Sequence, residues 1–440
     1  MKKRILGSLL AGLMALTSMA QISKTLSPYS QFGLGVLAEQ STGFNRGMSG
    51  LGIGVRDGKV VNVLNPASYS AVDSLTMIFD LGVSGQITNF KEGGNKVNAK
   101  TADFDYAVAA FRIWPKLGAA IGVIPYTNIG YDYTQDNWIG EAGGDYYAKI
   151  GDNYYGLNYY GTGGLSQAFL GVGWEIAKGV SVGANFSYFW GKYEKLAATI
   201  LNDTYANTLT RTYNTNINSW KLDLGAQYST MLNPDNRLTV GATVGIGHKL
   251  GADANIVITN MNSMTSVTKT TRDSVPNAFS IPLSLGVGFS VNHKNTLTFG
   301  VDYMMQKWGS LDYPVLDNDS RRYVAVSNVL KDRHKVTAGL DWIPDPTLAP
   351  RKFFKRIHYR VGASYATPYY NIGDRKGPNE LTLSAGVGIP IINTWNNRTS
   401  LNISAQWVHA SAKDFVTENS FRLTIGLTFN ERWFAKWKVD

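Results

Sequence analysis

The chain is 440 residues long and has no cysteine, which excludes disulfides, thiolate metal centres, cysteine nucleophiles and a lipid-modified N-terminal cysteine. Setting Lys2, Lys3 and Arg4 aside from the formal +10 leaves +7, a mild charge with no basic run suited to nucleic acid. With 46 Gly, 24 Tyr, 18 Phe and 11 Trp but only 17% charged residues, the composition is a poor match to a water-soluble enzyme.

The first 20 residues read MKKRILGSLLAGLMALTSMA, three basic residues, an apolar run and a small-residue site, which predicts a secretory signal peptide cut between Ala20 and Gln21. Beyond it no segment approaches the ~20 continuous apolar residues of a membrane helix. Residues 21–73 are glycine-rich and irregular, too broken for a long helix or a wall strand. They end on Asn65-Pro66-Ala67, where a favoured N-cap precedes a proline suited to the first helical position, so a short helix is expected there.

From residue 74 to 430 the pattern alternates with period two. Phe279, Ile281, Leu283, Leu285, Val287, Phe289 and Val291 are apolar, while Ser280, Ser284, Gly286, Gly288 and Ser290 between them are small or polar. Strands are expected over 75–90, 101–114, 117–135, 159–177, 180–201, 215–232, 238–260, 279–292, 296–311, 327–344, 357–372, 379–393, 398–416 and 420–430. Connections after even-numbered strands are mostly tight and those after odd-numbered strands mostly long, the exception being the basic turn 345–356. Short turns on one side and long loops on the other mark a transmembrane β-barrel with its turns in the periplasm. The expected fold is therefore all-β, an antiparallel transmembrane barrel of about fourteen strands, with a periplasmic tail over 431–440. A barrel this wide is not filled by its own side chains. Residues 21–73 are therefore expected to plug it as an N-terminal hatch.

A signal peptide, a glycine-rich segment ending in Asn65-Pro66-Ala67, and about fourteen strands resemble the FadL/TodX family of outer-membrane transport proteins. SPYSQFGLG, NPASYSAVDSL and LTFNERWF resemble more narrowly the FadL-like barrels of Bacteroidota. The resemblance implies a bacterial outer-membrane location, both termini periplasmic, and passive uptake of hydrophobic small molecules such as long-chain fatty acids. It also implies hatch binding and lateral exit at a kinked third strand. That strand carries Pro125, and proline in a closed wall demands a local break. The alternative is a non-enzymatic subunit of a larger outer-membrane secretion or barrel-assembly complex, contacting partners through 345–356 and 431–440.

Candidate ligand-binding residues are Tyr29, Phe32, Leu34, Leu37 and Phe44, since hydrophobic pockets are mostly apolar. Asn65, Pro66, Ala67 and Pro125 are the candidate hatch and gate residues. Inward parity selects a luminal charge network of Asp80, Arg422, Asp341 and Arg360, with Asp80 and Arg422 on neighbouring strands. The five histidines are scattered without metal-ligand spacing, and no nucleophile elbow or Walker loop occurs, so neither enzyme activity, metal nor cofactor is expected.

Overall fold

The computed structural model describes residues 27–74, 76–138, 154–201, 205–262, 264–317, 320–346, 352–391 and 399–431. The signal segment 1–20, most of the Tyr-rich connection 136–158 and the tail beyond Glu431 lie outside the described residues.

Fourteen antiparallel strands form a closed barrel. In chain order they are β1 (Met77–Glu92), β2 (Asn95–Trp114), β3 (Leu117–Trp138), β4 (Tyr154–Ala177), β5 (Val180–Leu201), β6 (Asn207–Asn233), β7 (Asn236–Gly245), β8 (Ser284–His293), β9 (Leu297–Gln306), β10 (Arg333–Trp342), β11 (His358–Ala366), β12 (Asn379–Ile391), β13 (Thr399–Ser411) and β14 (Thr417–Glu431). Closure comes from β14 against β1, in unbroken register from Met77 opposite Glu431 to Lys91 opposite Thr417. β4, β5 and β6 run well beyond a membrane-crossing length, and a further hairpin, Ala254–Asn262 with Thr268–Val275, continues the wall above them.

Burial inverts that of a soluble protein. Leu285, Val287 and Phe289 are exposed, whereas Gly286, Gly288 and Ser290 face the interior. On β1 and β14, Leu81, Val83, Leu423 and Ile425 point outward, and Asp80, Ser84, Gln86 and Thr424 point inward. Period-two alternation leaves an apolar belt that only lipid can solvate, rimmed near the short turns by exposed Trp114, Trp174, Tyr228 and Trp342. Among the described residues no helix is long and apolar enough to cross a membrane.

The sequence expected one uninterrupted strand over 238–260, and the structure corrects this. The strand stops at Gly245, and the following ribbon tips inward to bury Leu250, Phe279 and Ile281 in the upper core. Gly247, whose added Cβ would lie 2.4 Å from the Leu283 nitrogen, permits that bend. Of the prolines expected in strands, Pro282 and Pro368 fall outside them, while Pro125 and Pro390 lie within β3 and β12.

Residues 27–73 occupy the interior. Their short helical pieces are Pro28–Gln31, Gly43–Arg46 and Pro66–Ala71. The wall meets them with glycine, because only a missing side chain allows such close backbone approach. A Cβ on Gly183 would lie 2.4 Å from the Pro66 carbonyl carbon, and one on Gly362 would lie 2.3 Å from that of Met48. Gly118, Gly173, Gly183 and Gly225 are successive cross-strand partners and together form a smooth inner seat.

Candidate functional site: a plugged lumen beside an interrupted wall

Asn65 caps the helix Pro66–Ala71 by accepting a hydrogen bond from the Ala67 backbone N–H at 3.1 Å. Its amide also donates to the Ile53 carbonyl at 2.9 Å and to the wall carbonyl of Ala226 at 3.1 Å. Pro66 and Ala67 rest on Gly183 of β5. The tripeptide thus rivets the plug to β5 and β6.

A second rivet is Asp302 of β9. Its carboxylate accepts the backbone N–H groups of Gly52 at 2.7 Å and Ile53 at 2.8 Å. Arg46 forms a third, buried with Asp105 of β2 at 2.9 Å and donating to the Ser41 carbonyl at 3.1 Å. Sequence parity marks Asp302 as inward-facing, but nothing local reveals that its partners are backbone amides some 250 residues away in the chain. Asp105 and Tyr106 sit at a β-bulge opposite Gly82 and Val83, which strict alternation hides.

The luminal charges divide into separate groups. Arg360 pairs with Asp341 at 2.9 Å, donates to Asn402 at 2.6 Å and lies over the Phe44 ring at 4.4 Å. Asp80 accepts from Tyr106 at 2.8 Å and from Thr428 at 3.0 Å. Arg422 is not its partner. Although β1 and β14 are neighbours, Asp80 stands opposite Thr428 and Arg422 opposite Gln86, so the two charges sit at different levels. Arg422 instead donates to Gln86 at 2.9 Å and lies 3.9 Å from Glu39 of the plug. Burial pushes the Glu39 carboxyl up, but Arg46, Lys335 and Arg422 outweigh it and hold the group below its ordinary range.

Between the plug and the wall lies a chamber of ≈220 Å³, lined among others by Tyr29, Leu37, Glu39, Tyr126, Lys335 and Arg422. Of the candidate ligand residues, Tyr29 and Leu37 line it. Phe32 stacks on Tyr370 with ring centroids 5.5 Å apart, and Leu34 belongs to the upper apolar core. Phe44 lies lower, packed with Met48 and Leu51 beneath Arg360.

The wall beside this chamber is incomplete. β2 pairs with β3 only from Trp114–Leu117 up to Ala107–Val123, although both strands continue. At ~3.3 Å per residue and a tilt near 40°, the ladder ends roughly 18–20 Å from the tight turn that joins β2 to β3, within the apolar band of about 25 Å. Pro125 follows at once, and the register shifts between Pro125 and Thr127. The plug takes the vacated edge of β3 from inside. Ala38 N–H donates to the Tyr126 carbonyl at 2.9 Å, Leu37 and Val36 pair with Thr127 and Asn128, and Ser27 N–H donates to the Gly130 carbonyl at 2.8 Å. Gly35, at φ +100°, allows this contact, since a Cβ there would meet the Asn128 oxygen at 2.6 Å.

The closed fourteen-strand barrel shares the fold of the FadL/TodX-type barrels. The Ralstonia pickettii toluene transporter TbuX shares 15% identity, with 89% of this chain and 98% of that one covered and a TM-score of 0.56. A Pseudomonas aeruginosa FadL homologue shares 11%, covering 90% and 99% at a TM-score of 0.62, and the Pseudomonas putida toluene transporter TodX shares 13%, covering 90% and 100% at 0.57. At such identities the likeness is one of fold. The BamG family profile matches residues 1–440, and the chain belongs to the BamG family. No curated protein matches the sequence. Among the described residues no cluster of His, Asp and Glu could hold a metal ion.

Proposed function

We propose that this protein is a passive outer-membrane conduit for hydrophobic small molecules, long-chain fatty acids among them. In this reading a signal peptide is removed and both termini lie in the periplasm. The carrying observation is the β2–β3 ladder that ends within the apolar band, its free edge held by the plug rather than by the wall. Cargo arriving over the long loops binds in the chamber against Tyr29 and Leu37, with Phe32, Leu34 and Phe44 as the further plug contacts of this reading. It leaves sideways past Pro125 when residues 27–38 lift from β3. The plug stays riveted below by Asn65, Pro66 and Ala67, so water and ions do not follow. The toluene transporters that share the fold support an apolar cargo.

The chain's lack of cysteine makes the test direct. Leu37→Cys with Thr127→Cys, cross-strand partners, places a reversible disulfide across the seam. Fatty-acid uptake into proteoliposomes is expected to stop on oxidation and return on reduction. Full uptake through a completely cross-linked barrel defeats the reading.

A second reading is supported by membership of the BamG family and by the turn Phe353–Arg356, where Phe354 is 72% exposed beside Lys352 and Lys355. The barrel would then be a non-enzymatic subunit of a larger outer-membrane secretion or barrel-assembly complex, docked through 345–356 and 431–440. Affinity purification in mild detergent separates the two. A lone barrel with bound lipid favours transport. Stoichiometric protein partners, lost on Phe353→Ser with Phe354→Ser, favour the assembly.

A further inference from the structure

The wall has a second interruption, between β6 and β7, three strands round the barrel from Pro125 on β3. β6 pairs with β7 from Asn233–Asn236 up to Asp223–Gly245, and its upper part pairs with the hairpin strand Ala254–Asn262 from Asn214–Asn255 onward. Between these ladders, residues 215–222 of β6 have no strand partner on that side. Across the gap the chain 246–253 pairs instead with the strand ahead of β8, His248 opposite Ile281 and Lys249 opposite Ser280.

Only local contacts span the break. Ile246 N–H donates to the Leu222 carbonyl at 2.9 Å at its lower end, and the Thr215 hydroxyl donates to the Asp253 carbonyl at 2.7 Å at its upper end. Between them the Ser219 hydroxyl lies 3.4 Å from His248 Nε2, and the Trp220 indole stacks on the His248 imidazole, ring centroids 4.0 Å apart and planes within 12°. Trp220 is exposed, as are its neighbours Phe186 and Tyr188, so the stack faces lipid. Counting from Asn233 at the same rise and tilt, it stands roughly 30 Å above the turn, at the outer headgroup level.

Inside the wall at the lower end of the break lies a cavity of ≈110 Å³, which Lys221 and Ile246 line and from which Trp220 and His248 are one residue and two residues removed. Phe169, Leu224, Val244 and Ile281 give it apolar walls, and Lys221 and Asp223, paired with each other, give it a polar floor without net charge. It is not isolated. Gln40, Leu64, Tyr126, Met304 and Gln306 line both this cavity and the chamber between plug and wall.

We propose that the β6–β7 break is a second lateral portal, through which neutral, mainly apolar molecules dissolved in the outer leaflet enter the chamber, with the Trp220–His248 stack as its door. The cargo rests on the conduit reading above; the opening itself does not. A wall that paired β6 continuously with its neighbour would have no use for an aromatic pair bridging absent hydrogen bonds. The mutual neutralisation of Lys221 and Asp223 disfavours a free carboxylate in this cavity.

Ser187 is buried, on β5, and lines this cavity, whereas Ser364 lines only the chamber. Single Ser187→Cys and Ser364→Cys variants in proteoliposomes are exposed to N-dodecylmaleimide dissolved in the bilayer. Adding Trp220→Ala with His248→Ala is expected to speed modification at position 187 about tenfold, the scale of one lost aromatic stack, and to leave position 364 unchanged. Trp220→Phe keeps a stacked ring and is expected to leave both rates near the parent value. Unchanged labelling at 187 in the double-alanine protein overturns the portal, and equal acceleration at both positions overturns it as general loosening of the barrel. Heat-modifiable gel migration verifies that each variant is folded. If labelling responds as expected while fatty-acid uptake is absent, the conduit reading fails and the portal stands.

Discussion

Replacing Asp302 by alanine removes the carboxylate that holds the plug to β9. Two buried backbone N–H groups, from Gly52 at 2.7 Å and Ile53 at 2.8 Å, then lose a charged acceptor. A hydrogen bond to a charged group is worth about 1.5–3 kcal/mol, so the pair contributes about 3–6 kcal/mol, the lower end applying because both bonds share one carboxylate. Water has poor access to replace it, since Asp302 is only 5% exposed. The loss is local, because the rivets at Asn65 and Arg46 use other strands. Hydrogen exchange read by mass spectrometry on peptides covering 50–56 is expected to accelerate about a hundredfold, with β12 to β14 unaffected. Asp302→Asn keeps an acceptor but not the charge, and is expected to give an intermediate rate. Unchanged exchange at 50–56 refutes the rivet, and uniform acceleration across the wall refutes its locality.

Asn65→Ala removes the cap and two donor contacts, and is expected to cost the helix Pro66–Ala71 about 2–3 kcal/mol, seen as faster exchange over 62–72. Gly183→Val drives a side chain into the Pro66 carbonyl; the expected result is a displaced plug and a rise in single-channel conductance in planar bilayers, while unchanged conductance would show that the plug yields elsewhere. Pro125→Val restores a ladder donor where the wall breaks and is expected to lower hydrophobic uptake several-fold without changing thermal stability; unaltered uptake would remove Pro125 from the gate. Arg360→Ala strands the Asp341 carboxylate, which keeps the His358 imidazole at 3.0 Å but no guanidinium, and is expected to destabilise the barrel by about 3–5 kcal/mol in urea unfolding.

Alternation together with turn and loop lengths made the wall legible. Leu285, Val287 and Phe289 against Gly286, Gly288 and Ser290 give a pleated strand one apolar and one polar face, which a soluble sandwich also satisfies, and the short turns on one side with long loops on the other select the barrel. The tight turns and the even strand count were equally legible, because turn chemistry is local. The Asn65-Pro66-Ala67 cap was readable for the same reason, since its bond to Ala67 spans two residues. What the cap holds was not readable, because Gly183 and Ala226 are reached only through the closed barrel. The Asp105 bulge and the inward bend after Gly245 break the period that makes strands legible, and each exists to meet something distant, Arg46 in one case and the upper core in the other. The sequence by itself therefore settled a lipid-facing wall and a separate N-terminal segment. Pro125 marked one place where that wall fails to pair, but only the tertiary structure showed how far the ladder is missing and revealed the second break beside residues 215–222, because a missing ladder is a relation between strands.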